Sequence, residues 1–124
     1  LRGLHYQEPP FAQAKLVRVI QGSVLDVAVD IRKNSSTFGK HVAIELNDQN
    51  KKQLFIPRGF AHGFVVLSEN AVFSYKVDNY YNAEFDRGIA FDDKVLDINW
   101  RIKNSDIKIS FKDKYNIPFR INEI

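Results

Sequence analysis

The chain has 124 residues, 44% hydrophobic and 27% charged, which predicts one globular domain, residues 1–124, with a single core. It contains no cysteine, which excludes a disulfide framework, a thiolate metal site and a cysteine nucleophile. Its net charge of +3 comes from scattered Lys and Arg residues, so we expect no nucleic-acid partner. No apolar stretch approaches the ~20 residues that cross a bilayer, so we expect a cytoplasmic protein without a membrane partner.

Short alternating segments separated by turn residues predict an all-β fold. In the clearest segment, residues 23–31, odd-numbered side chains would lie on one face of a strand and even-numbered ones on the other. A short helix fits only within residues 105–114. So many short strands in one small domain indicate a β-sandwich, jelly roll or closed barrel. The other predicted strands are residues 16–20, 41–46, 53–56, 61–67, 71–77 and 88–91.

The first candidate site is the block Arg2-Gly3-Leu4-His5. Arg2 and His5 are three residues apart, so a regular strand would send them to opposite faces. Both reach one pocket only if the strand twists or bulges, and Gly3 is the residue that would permit this. The alternative is that both side chains lie on a frayed edge strand.

The other two histidines have different settings. His62 would share a strand face with Phe60 and Phe64, which favours a hydrogen-bonded core histidine over a functional one. Gly63 beside it indicates that another group approaches the backbone closely. His41 opens a predicted strand and is interpreted as a surface residue.

Tyr75 and Lys15 each allow two interpretations. Tyr75 alternates with Phe73 and Val77, which fits either a core tyrosine with a satisfied hydroxyl or a phenol that donates a proton inside a barrel. Lys15 shares a strand face with two valines, but a lysine at a strand end can also reach back to water.

Residue spacing does not support metal or nucleotide-cofactor chemistry. The three histidines are isolated, with no His-X-His pair of the kind that metal-binding barrels use. The sequence has no P-loop, glycine-rich dinucleotide turn or Gly-X-Ser-X-Gly elbow. We therefore expect no metal and no cofactor.

Several blocks, in order and with compatible spacing, carry a resemblance along nearly the whole chain. They are Arg2-Gly3-Leu4-His5-Tyr6-Gln7, Lys15-Leu16-Val17-Arg18-Val19, residues 26–32, Gly59-Phe60-Ala61-His62-Gly63-Phe64, Tyr75-Lys76, Ile98-Asn99-Trp100 and Ser110-Phe111-Lys112-Asp113. Together they resemble the dTDP-4-dehydrorhamnose 3,5-epimerase family. The resemblance implies a cupin jelly roll (a double-stranded β-helix barrel) with a few short C-terminal helical turns. It also implies a cofactor-free homodimeric isomerase of dTDP-L-rhamnose biosynthesis, which inverts C3 and C5 of dTDP-4-dehydro-6-deoxy-D-glucose.

The resemblance further implies the catalytic groups. His5 is the base, Asp113 orients and charges it, and Tyr75 is the acid on the opposite side of the sugar. Histidine suits a base because its unperturbed pKa of about 6.5 lies near working pH. The acid is needed because inversion requires a proton from the other face.

The implied substrate-binding residues are mostly polar or basic. Lys15 lies by the keto oxygen, where a cation stabilises the charge that develops when the α-proton leaves. In this family the position of Asp86 is commonly Glu. The remaining ligand contacts are Arg2, His62, Asp86 and Lys112.

The family usually carries a further segment before the Arg-Gly-Leu-His block, and this chain begins at Leu1 with no methionine. We therefore expect a form truncated at the N-terminus, which would bind substrate more weakly than a longer form. Three alternatives stay open: an epimerase that inverts only C3 or only C5 of a related dTDP-keto-sugar, a non-catalytic cupin that binds sugar nucleotides, and an interaction module.

Overall fold

A computed structural model describes residues 1–119, which form eight strands, one short α-helix and two 3-10 turns. Six of the seven predicted strands are confirmed to within two residues at their ends. The strands are β1 Arg2–Gln7, β2 Lys15–Gln21, β3 Ser23–Asp30, β4 His41–Asn47, β5 Gln53–Ile56, β6 Phe60–Val66, β7 Val72–Val77 and β8 Asp86–Gly88; the helix is α1 Phe111–Lys114.

The strands form two antiparallel sheets. The larger has the order β4-β3-β6-β1-β8, and the smaller has the order β5-β2-β7. The predicted all-β class is therefore confirmed. One face of the large sheet packs against the small sheet, and its other face packs against the C-terminal segment.

Strand β3 explains this layering, because it is buried on both faces. Leu25, Val27 and Val29 belong to a core cluster shared with Trp100 and other residues of the C-terminal segment. Val24 and Ala28 of the even-numbered face pack against strands of the small sheet. The two predicted faces of residues 23–31 are thus confirmed, and each contributes to a different core.

The C-terminal segment departs from the prediction at one point. The predicted strand 88–91 ends early: β8 stops at Gly88, although Ile89 still exchanges two backbone hydrogen bonds with Leu4. The chain then turns at Asp93, whose carboxylate accepts from two backbone N–H groups just beyond it. Ala90 donates to the carbonyl of Ile117 instead of continuing the sheet.

Helical structure in the described part of the C-terminal segment, up to residue 119, is limited to short turns, as predicted. A 3-10 turn covers Asn104–Asp106, and Ser110 caps α1 by accepting a hydrogen bond from the backbone N–H of Asp113 at 3.2 Å. Within residues 1–119, no helix has the length and apolar character needed to cross a membrane.

Candidate active site

The start of β1 is irregular, and this irregularity orients two candidate side chains. Between Arg2 and His5 the pairing of β1 with β6 shifts register. Gly3 lies in this bulge with φ +112°, and a Cβ there would be 2.7 Å from Gly63 Cα and 2.7 Å from the carbonyl oxygen of His62. The predicted bulge is therefore confirmed, and the close approach expected at Gly63 comes from β1 itself.

A cavity of about 70 Å³ lies between the two sheets at this end of the molecule. It opens into an outer chamber of about 360 Å³. Arg2, His5, Lys15 and Tyr75 line both spaces. The inner cavity is completed by His62, Gly63, Phe64 and Phe73; the outer chamber is lined further by Tyr6, Gln7, Gln13, Val77, Tyr81, Asp86 and Lys112.

Asp113 is buried behind His5, which is itself partly exposed, and forms a pair with it. The His5 Nε2 and Asp113 Oδ1 atoms are 2.5 Å apart, and Asp113 Oδ2 accepts a hydrogen bond from the Gly3 backbone N–H at 3.0 Å. Burial acts to raise the pKa of Asp113, but these hydrogen bonds and the nearby charges of His5 and Arg2 together hold it below its ordinary value. With Nε2 engaged, Nδ1 is the ring nitrogen of His5 that is free to accept a proton.

A second histidine–carboxylate pair lies at the wall of the inner cavity, which His62 lines and Asp26 backs. His62 Nε2 is 2.6 Å from Asp26 Oδ1, and both side chains are buried. His62 is therefore the hydrogen-bonded core histidine that its strand pattern favours, and it also lines the cavity. Asp26 was not among the predicted site residues. The signal that could have identified it is a carboxylate within the apolar strand β3.

Lys15 is the half-buried cation of the cavity. Burial lowers the pKa of Lys15, the positive charge of Arg2 lowers it further, and the carboxylates of Asp26 and Asp86 act in the opposite direction. The Lys15 side chain lines both spaces. Lys15 and Arg2 are two cations in the cavity that could bind an anionic group.

Tyr75 faces the cavity from the small sheet, whereas His5 faces it from the large sheet. Tyr75 is 54% exposed, so the interpretation as a buried core tyrosine is wrong. Its ring lies 6.1 Å from that of Phe73, centroid to centroid. A base candidate and a phenol thus meet at one cavity from opposite walls.

Asp86 and Lys112 form an ion pair at the rim of the outer chamber. Lys112 Nζ donates to Asp86 Oδ2 at 2.8 Å, and this bond raises the pKa of Lys112. One residue comes from β8 and the other from α1. Every predicted site residue therefore lies in or directly behind the same two connected spaces. His41 lies away from them and is half-buried at the start of β4.

The part of the chain that the structure describes contains no group of three His, Asp or Glu side chains arranged to hold a metal ion. The polar groups of the cavity occur instead as two separate histidine–aspartate pairs and two cations. Such an arrangement can move protons and bind an anion.

The sheets and the cavity between them define a cupin-type jelly roll, which confirms the predicted fold. The chain belongs to the dTDP-4-dehydrorhamnose 3,5-epimerase family, whose model matches residues 1–120. The family prediction is therefore confirmed.

Individual relatives agree with this assignment. A dTDP-4-dehydrorhamnose 3,5-epimerase of Shigella flexneri is 58% identical over 104 residues, which are 84% of this chain and 58% of that protein. The crystal structure of the enzyme from Elizabethkingia anophelis NUHP1 has a TM-score of 0.94 and 55% identity, and the match covers 95% of this chain and 64% of that one. A Legionella pneumophila epimerase in complex with dTDP-4-keto-L-rhamnose has a TM-score of 0.91 and 46% identity, covering 99% and 63%. The chain thus spans about three fifths of the length of these relatives.

Proposed function

We propose that this chain carries the active site of an isomerase that inverts C3 and C5 of dTDP-4-dehydro-6-deoxy-D-glucose to give dTDP-4-dehydro-L-rhamnose. The observation that carries the proposal is that His5, backed by Asp113, and Tyr75 line one cavity from opposite sheets. Family membership and the keto-sugar nucleotide bound by the Legionella relative support the substrate class.

The first step is removal of the proton next to the ketone by His5. The Nε2 atom donates to Asp113, so Nδ1 takes the proton and the ring becomes an imidazolium. The carboxylate fixes the ring orientation and stabilises the positive charge that forms. Because the pKa of Asp113 is held low, the carboxylate is ionised and available for this role at neutral pH.

The electron pair from the broken C–H bond moves to the ketone oxygen, which becomes an enolate oxygen. Lys15 is the cation positioned to stabilise that oxygen, in a half-buried setting where a charge acts more strongly than in water. Arg2 adds positive charge in the same cavity and suits the anionic nucleotide portion of the substrate.

The second step is proton delivery from the opposite wall. The Tyr75 hydroxyl gives its proton to the carbon from the side away from His5, which reverses the configuration. His5 then releases its proton to solvent and Tyr75 regains one from solvent, after which the two steps repeat at the other carbon. His62 contacts the sugar within the cavity, and the rim pair Asp86 and Lys112 contacts the ligand in the outer chamber.

We also propose a homodimer that works in the cytoplasm without a metal or cofactor. Support for the dimer comes from the outer face of the small sheet, where Leu16, Ile20 and Phe55 are exposed. Sedimentation equilibrium tests this proposal directly. A monomer at concentrations that support full turnover would contradict it.

The reaction is tested by incubating the protein with the dTDP-linked keto-sugar in D2O and recording proton NMR spectra. We expect deuterium at both C3 and C5, and product with both centres inverted, in buffer containing a chelator. Exchange at one carbon alone would identify a single-site epimerase. Binding without exchange would identify a non-catalytic sugar-nucleotide cupin.

A His5→Asn variant serves as the matched test of the base. The amide keeps a polar side chain of similar reach but accepts no proton, so exchange at both carbons should fall by on the order of 10²–10⁴-fold. A near-normal exchange rate in this variant would refute the mechanism.

A further inference from the structure

Asp26 is a fully buried carboxylate at the inner end of the site, in the middle of β3. Its Oδ1 atom bonds His62, whereas its Oδ2 atom has no hydrogen-bond partner among residues 1–119. A buried carboxylate with an unpaired oxygen costs free energy, so its presence needs a reason beyond packing.

We propose that Asp26 is a positioning residue: it holds the His62 ring with Nδ1 toward the bound sugar and serves as a counterion for Lys15. This inference rests on the proposed function. Asp26 itself touches no substrate and acts through His62 and Lys15.

The geometry around His62 supports the positioning role. Phe64 and Phe73 lie 6.2 and 6.4 Å from the His62 ring, centroid to centroid, and restrict its tilt. Aromatic contacts do not distinguish the two ring nitrogens, whereas a carboxylate 2.6 Å from Nε2 does. The carboxylate thus leaves Nδ1 as the nitrogen available to the ligand.

The charges of the cavity support the counterion role. Lys15 has its pKa lowered by burial and by Arg2, and only Asp26 and Asp86 oppose that shift. The other ionisable groups facing the cavity are Arg2, Tyr75, His62 and His5, which is already paired with Asp113. Without the Asp26 charge, the pKa of Lys15 should fall further, and the ammonium group would be lost at a lower pH.

Asp30 provides the contrast that separates this role from simple core structure. It lies four residues along the same face of β3 and is also buried. Both of its oxygens are paired, accepting from the Arg32 guanidinium at 2.9 Å, from Ser35 and from Thr37, so it anchors the loop after the strand. Within residues 1–119, the side chain of Asp26 bonds only His62, a residue of the cavity.

The kinetic test compares Asp26→Asn with the matched control Asp30→Asn. For Asp26→Asn we expect kcat to fall by on the order of 10–100-fold, with a smaller change in KM, because the His62 ring and the Lys15 ammonium group shift relative to the bound sugar. The alkaline limb of its pH profile should move to lower pH by about one unit or more. Asp30→Asn should lower thermal stability and leave the alkaline limb in place. An unmoved limb in Asp26→Asn would overturn the counterion role.

The structural test uses proton and nitrogen NMR of the free, full chain, so its outcome does not depend on turnover. We expect a strongly hydrogen-bonded Nε2 proton of His62 in the wild type and in Asp30→Asn, and its loss or large upfield shift in Asp26→Asn. An unchanged resonance in Asp26→Asn would overturn the positioning role. Lack of turnover in the wild type would count against the proposed function alone, because the resonance still decides the part played by Asp26.

Discussion

Replacing Gly3 with alanine would disturb the site without removing any functional side chain. The residue lies in the β1 bulge at φ +112°, a region that L-residues rarely adopt. The new Cβ would lie 2.7 Å from Gly63 Cα and 2.7 Å from the carbonyl oxygen of His62, and both are backbone atoms that cannot rotate away. The Gly3 N–H also donates to Asp113, so any shift here reaches the base.

The cost has two sources. A strained backbone conformation costs about 1–3 kcal/mol, and an overpacked contact adds about 1–3 kcal/mol. Together we expect the free energy of unfolding to fall by roughly 2–6 kcal/mol, out of a total of about 5–15 kcal/mol for a typical domain. Molecules that still fold should lose on the order of 10²-fold in turnover, because the His5–Asp113 pair is displaced.

Urea denaturation followed by tryptophan fluorescence measures this loss, with Trp100 as the single probe. Gly39→Ala is the matched control: Gly39 has φ +80°, but its added Cβ would meet only Phe119 atoms at 3.5 Å, which is ordinary contact. The control should therefore show the backbone cost alone and keep its activity. Equal losses of stability in the two variants, or full turnover in Gly3→Ala, would refute this reasoning.

Two further predictions concern charge. Lys15→Met should lower kcat by on the order of 10²–10³-fold. It should also raise the free energy of unfolding at pH 7, because the folded pKa of Lys15 lies below its ordinary value and the ionised side chain therefore destabilises the folded state. A variant less stable than the wild type in urea titration would contradict this. Asp113 has a folded pKa below its ordinary value of about 3.9, so its ionised form contributes stability that is present above that pH and lost as pH falls through the folded pKa. As the pH falls from neutral to acid, the free energy of unfolding of Asp113→Asn should consequently decrease less than that of the wild type. Parallel plots of the free energy of unfolding against pH for the two proteins would count against this.

The sequence was sufficient to predict most of the fold. The alternation of side chains identified β3, because the strand period of two sends neighbouring residues to the two different core clusters. The same rule located β2 and β4 to β7. Strand order was not predictable from the pattern, since β1 pairs with β6 and β8 across long stretches of chain. The early end of β8 depends on a backbone bond from Ala90 to the carbonyl of Ile117, and alternation carries no information about such a partner.

The site could be predicted only in part for the same reason. Gly3 was a local signal, and the bulge followed from it. The 108-residue separation between His5 and Asp113 gives no spacing to interpret, so their pairing came from the family resemblance. Asp26 was missed because its partner depends on register: Ala28 lies opposite His62, which makes Asp26 the diagonal neighbour.

Exchange and inversion in Tyr75→Phe, measured by proton NMR in D2O, test the two-wall mechanism most directly. His5 is intact in this variant, so it can still remove the proton and return a deuteron to the same face. The account predicts deuterium at the carbon next to the ketone with the starting configuration retained. Inverted product formed at the wild-type rate would contradict it, since the opposite face would then need no phenol.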